Sequence, residues 1–159
     1  MNPSTKNYFS LIIWVFALLA IGSMIGSFTK PEISNWYSTL NRTTLTPPNH
    51  VFPIAWTILY TIIGICGWLI WRVPSFPKLK ALKTLYLFQL MLNWSWTPLF
   101  FHYHLTGISL IILGGMDILV GTLIWLTYPK IRSISLLMTP YLLWILFASY
   151  LNFYIWQHN

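Results

Sequence analysis

The sequence predicts an all-α integral membrane protein, a bundle of five transmembrane helices with a long first loop acting as a lid. Three observations carry that prediction. Of 159 residues, 57% are hydrophobic and only 7% are charged, with mean hydropathy +0.65, whereas a soluble domain carries about 25% charged residues. The charges are spaced so that five long apolar runs lie between them. None of these runs shows the alternation of polar and apolar residues, over roughly ten positions, that a membrane β-barrel strand requires.

Each run is measured against the roughly 20 mostly apolar residues that a spanning helix needs. The first helix is expected over about 8–29, with no charge from Tyr8 to Thr29. One Lys precedes it and no small-residue cleavage site follows, so it reads as a helix and not as a removed signal peptide. The second is expected over 51–72, uncharged from Val51 to Trp71. The third, over 83–102, is the shortest and ends at His102 and His104. The fourth, over 105–128, holds a single charge, Asp117. The fifth, over 133–157, holds none. No polar or low-complexity tract is long enough for a second domain, so residues 1–159 read as one. The single Cys66 sits in an apolar run and leaves no intrachain disulfide.

Five spans put the N-terminus with loops 2 and 4, which carry Lys6, Arg72, Lys78, Lys80, Lys83, Lys130 and Arg132. Loops 1 and 3 and the C-terminus carry only Lys30 and Arg42. That asymmetry predicts the N-terminus inside. The net charge of +7 is therefore a topology signal, and no basic face of the kind that binds nucleic acid accompanies it. Loop 1, from about Lys30 to His50, is the longest connection and holds Trp36, Tyr37, Pro47 and Pro48. A long loop of this composition is expected to pack over one end of the bundle as a lid.

The stretch Asn93-Trp94-Ser95-Trp96-Thr97-Pro98-Leu99-Phe100-Phe101 is the most informative in the chain. Indoles supply flat area and one donor each, the amide supplies a donor and an acceptor, and proline frees a carbonyl and bends the wall. Gln89, Asn93, Trp96 and Phe100 share one helical face, as do Tyr141, Trp144, Ala148 and Leu151, while Trp56 and Tyr60 lie one turn apart. If these faces converge beneath loop 1 they form an aromatic box for a planar, mostly apolar ligand with polar edges. From spacing alone, packing of helix against helix is the commoner role of such aromatics.

Several of these pieces resemble one family. Gly22 and Gly26 resemble its glycine pair in helix 1. Trp36-Tyr37, Leu40 and Pro47-Pro48 resemble its first loop, and Phe52-Pro53-Ile54-Ala55-Trp56-Thr57-Ile58-Leu59-Tyr60 the start of its second helix. Gln89-Leu90, Leu92-Asn93 and Trp96-Thr97-Pro98 to Phe101 resemble its third, and Pro140 to Trp144, Phe147-Ala148 and Leu151-Asn152 its fifth. The chain so resembles the tryptophan-rich sensory proteins, the family of the mitochondrial translocator protein once called the peripheral benzodiazepine receptor. Where the family's loop has Lys-Pro-x-Trp, this chain has Arg42, Thr43, Thr44 and Leu45. Leu151 and Tyr154 are followed by Gln157 and His158 with no basic residue, so the sterol-binding pattern of animal members is incomplete.

The resemblance implies a bacterial-type member in the cell membrane, or in the mitochondrial outer membrane if the chain is eukaryotic. It implies a receptor or sensor for porphyrins such as protoporphyrin or haem, with sterols, other lipids and synthetic aromatic drugs as further ligands and no required cofactor. The expected ligand-binding residues are Tyr37, Pro47, Trp56, Tyr60, Asn93, Trp96, Phe100, Trp144, Ala148 and Leu151. Light- and oxygen-dependent porphyrin degradation is a further implied activity, with Trp56 and Trp144 as the reacting indoles. A carrier of porphyrin or sterol and a structural membrane partner are the alternatives. No internal repeat is visible, which weighs against alternating access. No paired acids, Ser-His-Asp set or metal-ligand cluster is visible, which weighs against hydrolytic or metal chemistry. Asp117, the one acid inside a predicted span, is read as a structural acid bonded to a neighbouring hydroxyl or indole. Gly22 and Gly26 form a GxxxG pair that serves either packing within the bundle or a homodimer seam.

Overall fold

The computed structural model describes the backbone of residues 3–159 and the side chains of residues 8–159. Lys6, counted in the charge asymmetry, has its side chain outside the described residues. In chain order the elements are α1 (Pro3–Asn35), a 3-10 turn (Tyr37–Thr39), α2 (Val51–Arg72), α3 (Leu79–Thr97), a π-turn (Pro98–His102), α4 (Thr106–Thr127) and α5 (Arg132–His158). Four of the helices, all but α3, are long and apolar enough to cross a membrane. α3 is the most polar of the five in its middle because it carries Gln89 and Asn93, and Lys80 and Lys83 sit near its start. Its 19 residues still extend about 28 Å.

The helices form a ring in which α1 packs on α2, α2 on α5, α5 on α4 and α4 on α3, with a lighter α3–α1 contact closing it. The core is apolar and aromatic: Ile63, Ile70, Tyr86, Met116, Leu123, Met138, Tyr141 and Ile145 are buried. The outside is apolar too, with Phe16, Phe28, Ile111, Ile118 and Leu143 exposed. Helices apolar on every face belong in lipid, where their backbone groups are satisfied internally.

α1 and α2 approach closely because glycines line their seam. A Cβ at Gly22 would fall on the Tyr60 ring, and one at Gly64 would lie 2.9 Å from the Val15 backbone. A Cβ at Gly26 would meet nothing within 4 Å. The GxxxG pair therefore divides: Gly22 serves packing within the bundle and Gly26 faces outward.

Two helices differ in extent from the sequence reading, and α1 starts earlier than expected, at Pro3. α1 runs on through Lys30 and Pro31 to Asn35, so Glu32 is helical and Asp117 is not the only acid in a long helix. The reason is tertiary: Glu32 Oε2 lies 3.3 Å from His104 Nε2 and Trp36 stacks on His104 at 4.1 Å, which ties the end of α1 to the α3–α4 connection. The helical stretch expected at 83–102 starts earlier, at Leu79, and changes to a π-turn at Pro98.

Loop 1 is accordingly shorter, about residues 36–50, and it lies against the end of α5. The Asn41 N–H donates to Asn159 Oδ1 at 2.9 Å, Asn41 Nδ2 donates to the His158 carbonyl at 3.2 Å, and Asn159 Nδ2 donates to the Asn41 carbonyl at 3.2 Å. Thr43 and Tyr150 share a hydroxyl hydrogen bond of 3.2 Å. At the other end, Lys78 Nζ lies 5.4 Å over the Trp125 ring, so the start of α3 meets the last turn of α4 there. The Trp68 indole donates to Ser10 Oγ at 2.9 Å, which brings the start of α1 to that end.

Candidate functional site

The middle of the bundle holds a buried polar chain contributed by three helices. Tyr60 of α2 donates to Asn93 Oδ1 of α3 at 2.7 Å. Asn93 Nδ2 donates to the Tyr141 hydroxyl of α5 at 2.9 Å, and Tyr141 donates to Gln89 Oε1 at 3.0 Å. All four residues are buried. An amide in an apolar interior is tolerated when its donors and acceptors are matched, and here the Asn93 amide and the Tyr141 hydroxyl each both give and take, while Tyr60 only donates. The chain ends on Gln89 Nε2, a buried donor with no protein partner.

Toward loop 1, aromatics line the α2–α5 seam. Phe52, Trp56 and Tyr60 recur every fourth residue along one stripe of α2. The Trp56 and Tyr60 rings lie 5.5 Å apart, and Phe52 meets the Trp144 ring of α5 edge-on at 6.1 Å. Phe147 lies 6.0 Å from Trp144. Trp56, Trp144 and Ala148 are half-buried and Leu151 is buried. The indoles thus present partly open faces one to two turns from the polar chain.

A second aromatic cluster forms where α3 ends. Trp96 stacks on Phe100 at 5.4 Å, and Tyr37 lies 6.2 Å from Phe100 and 5.5 Å from Phe101. Trp36 meets Phe100 edge-on at 5.4 Å. Pro98 has no N–H to donate, and the helix widens after it: the Tyr103 N–H reaches back five residues to the Pro98 carbonyl at 3.0 Å. The wider turn brings Phe100 and Phe101 against Tyr37 of the lid. It closes at His104, the one non-glycine in the left-handed region among the described residues, at φ 55°. The Trp96 indole donates to Asn152 Oδ1 at 3.2 Å, and Asn152 Nδ2 donates to the Thr106 carbonyl at 2.7 Å.

Above this cluster, loop 1 folds around a groove of about 610 Å³ lined by residues from Leu40 to Asn49, Pro47 among them. Arg42 lines it too, and its guanidinium lies 5.0 Å over the Tyr37 ring. The ten expected ligand residues are thus distributed. Tyr60 and Asn93 belong to the polar chain, and Tyr37, Trp96 and Phe100 to the end cluster. Trp56 and Trp144 belong to the α2–α5 aromatic seam, and Ala148 and Leu151 continue the Trp144 face of α5. Pro47 lies in the loop groove.

Gln89, Asn93 and Trp96 lie on one stripe of α3, which Phe100 of the π-turn extends, and the stripe serves two separate clusters. Asn152 was not among the expected site residues, although an amide well inside the uncharged fifth segment was a signal for it. Phe52 was missed as well, and its four-residue spacing from Trp56 was the available clue. Asp117 accepts a hydrogen bond from Ser149 Oγ at 2.8 Å, the kind of hydroxyl partner expected for it. Among the described residues, no group of three or more His, Cys, Asp and Glu side chains comes together.

Comparison with known proteins places these features in context. Residues 14–157 match the model of the TspO/MBR family. The chain is 38% identical over 153 residues to the tryptophan-rich protein TspO of Archaeoglobus fulgidus, covering 96% of this chain and 99% of that one. It is 32% identical over 146 residues to the translocator protein of Homo sapiens, covering 88% and 85% respectively. It is 30% identical over 144 residues to the tryptophan-rich sensory protein of Cereibacter sphaeroides, covering 91% and 88%.

Proposed function

The chain belongs to the TspO/MBR family, and on that premise we propose that it is a membrane receptor or sensor for porphyrins and related flat, hydrophobic ligands. The observation that carries this reading is the α2–α5 seam beneath loop 1. Trp56 and Trp144 are half-buried there, with the Phe52 ring edge-on to Trp144. A planar macrocycle needs flat apolar walls, and exposed indole faces supply them. Its carboxylates need a cation, and Arg42 in the loop groove is the basic residue nearest the lid cluster.

The site has neither paired acids nor a metal-ligand group, so chemistry on a bound porphyrin would be the pigment's own, driven by light and dioxygen. Trp56 and Trp144 would be the indoles placed to give up electrons. A carrier role has less support, because no internal repeat is visible in the sequence.

The test is a titration of purified protein with protoporphyrin, first in darkness and then in light. Saturable quenching in darkness is the expected result. Trp144→Ala should weaken binding by about 1–3 kcal/mol, the scale of aromatic stacking on a planar base. Trp56→Phe with Trp144→Phe should keep most of the binding and slow pigment loss under light. Equal loss in wild type and double variant would leave binding without photochemistry. No saturable quenching in darkness would remove the porphyrin reading itself.

A further inference from the structure

One end of the bundle carries most of the described positive charge and no acid to balance it. Arg72 closes α2, Lys78, Lys80 and Lys83 surround the start of α3, and Lys130 and Arg132 join α4 to α5. The one ion pair among the described residues, Glu32 with His104, lies at the opposite end. α3 has no acidic residue in its first turn, so its own positive helix end adds to the imbalance. Several of these cations rest on aromatic faces instead: Arg72 lies 4.8 Å over Trp68, Lys83 5.3 Å over Trp71 and Lys78 5.4 Å over Trp125. Such contacts fix the side chains and leave their N–H groups unsatisfied by any carboxylate.

Within this collar lies a groove of about 410 Å³. Lys80 and Lys83, three residues apart and so on one face of α3, line it with the hydroxyls of Ser75 and Thr84. Phe76 and Leu87 supply its apolar wall. The combination is two cations and two hydroxyl donors beside an apolar surface, at the level where a spanning bundle meets lipid headgroups. A free anion would use the polar half only, whereas a phospholipid uses both. We propose that this groove is a binding site for the headgroup and upper chain of an anionic phospholipid, so that the protein collects such lipids around this end.

The probe is phosphatidylglycerol. The full chain is reconstituted in vesicles of equal phosphatidylglycerol and phosphatidylcholine, extracted gently, and its retained lipids are counted by mass spectrometry. Enrichment of phosphatidylglycerol over the vesicle ratio is expected for wild type. Lys80→Gln with Lys83→Gln should reduce it on the order of fivefold for each charge removed. Lys80→Arg with Lys83→Arg should keep it, and Lys30→Gln at the opposite end should leave it unchanged. Lys80 is exposed, so Lys80→Gln alone keeps the test usable should the double variant not fold. The proposal is overturned by a retained ratio equal to that of the vesicle, by equal enrichment in wild type and Lys80→Gln, or by equal loss in Lys30→Gln. Displacement of the lipid by inorganic phosphate would overturn it as well, because the site would then recognise phosphate alone.

Discussion

Replacing Asn93 with leucine tests whether the polar chain is what joins α2, α3 and α5. Leucine has the same branched heavy-atom skeleton as asparagine and, being somewhat larger, leaves no void, so the change chiefly removes hydrogen bonding. Two bonds disappear, from Tyr60 at 2.7 Å and to Tyr141 at 2.9 Å. Interhelical hydrogen bonds in membrane proteins average about 0.6 kcal/mol and reach about 1.7, so the pair is worth about 1–3 kcal/mol. The losses are unequal in kind. Tyr141 still donates to Gln89, but Tyr60 is left with a buried hydroxyl lacking its acceptor, which pushes the cost toward the upper end. Tyr60→Phe removes the same bond from the other side. Combining the two variants should therefore cost less than the sum, with a coupling of about 0.6–1.7 kcal/mol. The assay is reversible unfolding in mixed micelles, followed by helical circular dichroism, for wild type, both single variants and the double. A coupling within about 0.3 kcal/mol of zero would refute the reasoning. Tyr60 and Asn93 would then be neighbours that do not support each other.

Three other outcomes are expected. Gly22→Ala should destabilise by about 1–3 kcal/mol, since the added methyl meets the Tyr60 ring held by Asn93, while Gly26→Ala in open space should stay within about 0.5 kcal/mol of wild type; the same unfolding assay measures both. Asn159→Ala removes one acceptor and one donor to Asn41, so amide exchange in loop 1 should accelerate around residues 40–49 and stay unchanged in α3, as read by hydrogen–deuterium exchange. Cysteines placed singly at Lys80 and His50 should be labelled from opposite sides of a sealed vesicle, because α2 lies between loop 1 and the α2–α3 connection; labelling of both from one side would remove the single crossing.

The candidate site was legible where local spacing governs and illegible where distant segments meet. The stripe of Gln89, Asn93, Trp96 and Phe100 follows from a 3.6-residue period, and the structure keeps the first three in α3 and carries Phe100 into the π-turn, stacked on Trp96. The division of that stripe into a polar chain and an aromatic cluster does not follow from the period. It depends on the π-turn after Pro98, which a proline announces only as a bend. The end of α1 was placed too early because a charge and a proline ordinarily mark a boundary, and contact with His104, more than 70 residues on, outweighed that local signal.

By itself, the sequence determined that this is a five-helix membrane bundle, because composition and charge spacing are properties of the chain that lipid reads directly. It also determined family membership, through motifs in fixed order. Only the tertiary structure decided the partners: that Gly22 seats Tyr60, that Asn93 is held between two tyrosines, that Ser149 holds Asp117, and that Asn41 of the lid is tied to Asn159 across 118 residues. The physical reason is that helix formation in lipid follows from local hydrophobicity, whereas each of these contacts needs two or three separately formed helices to pack in one particular ring order.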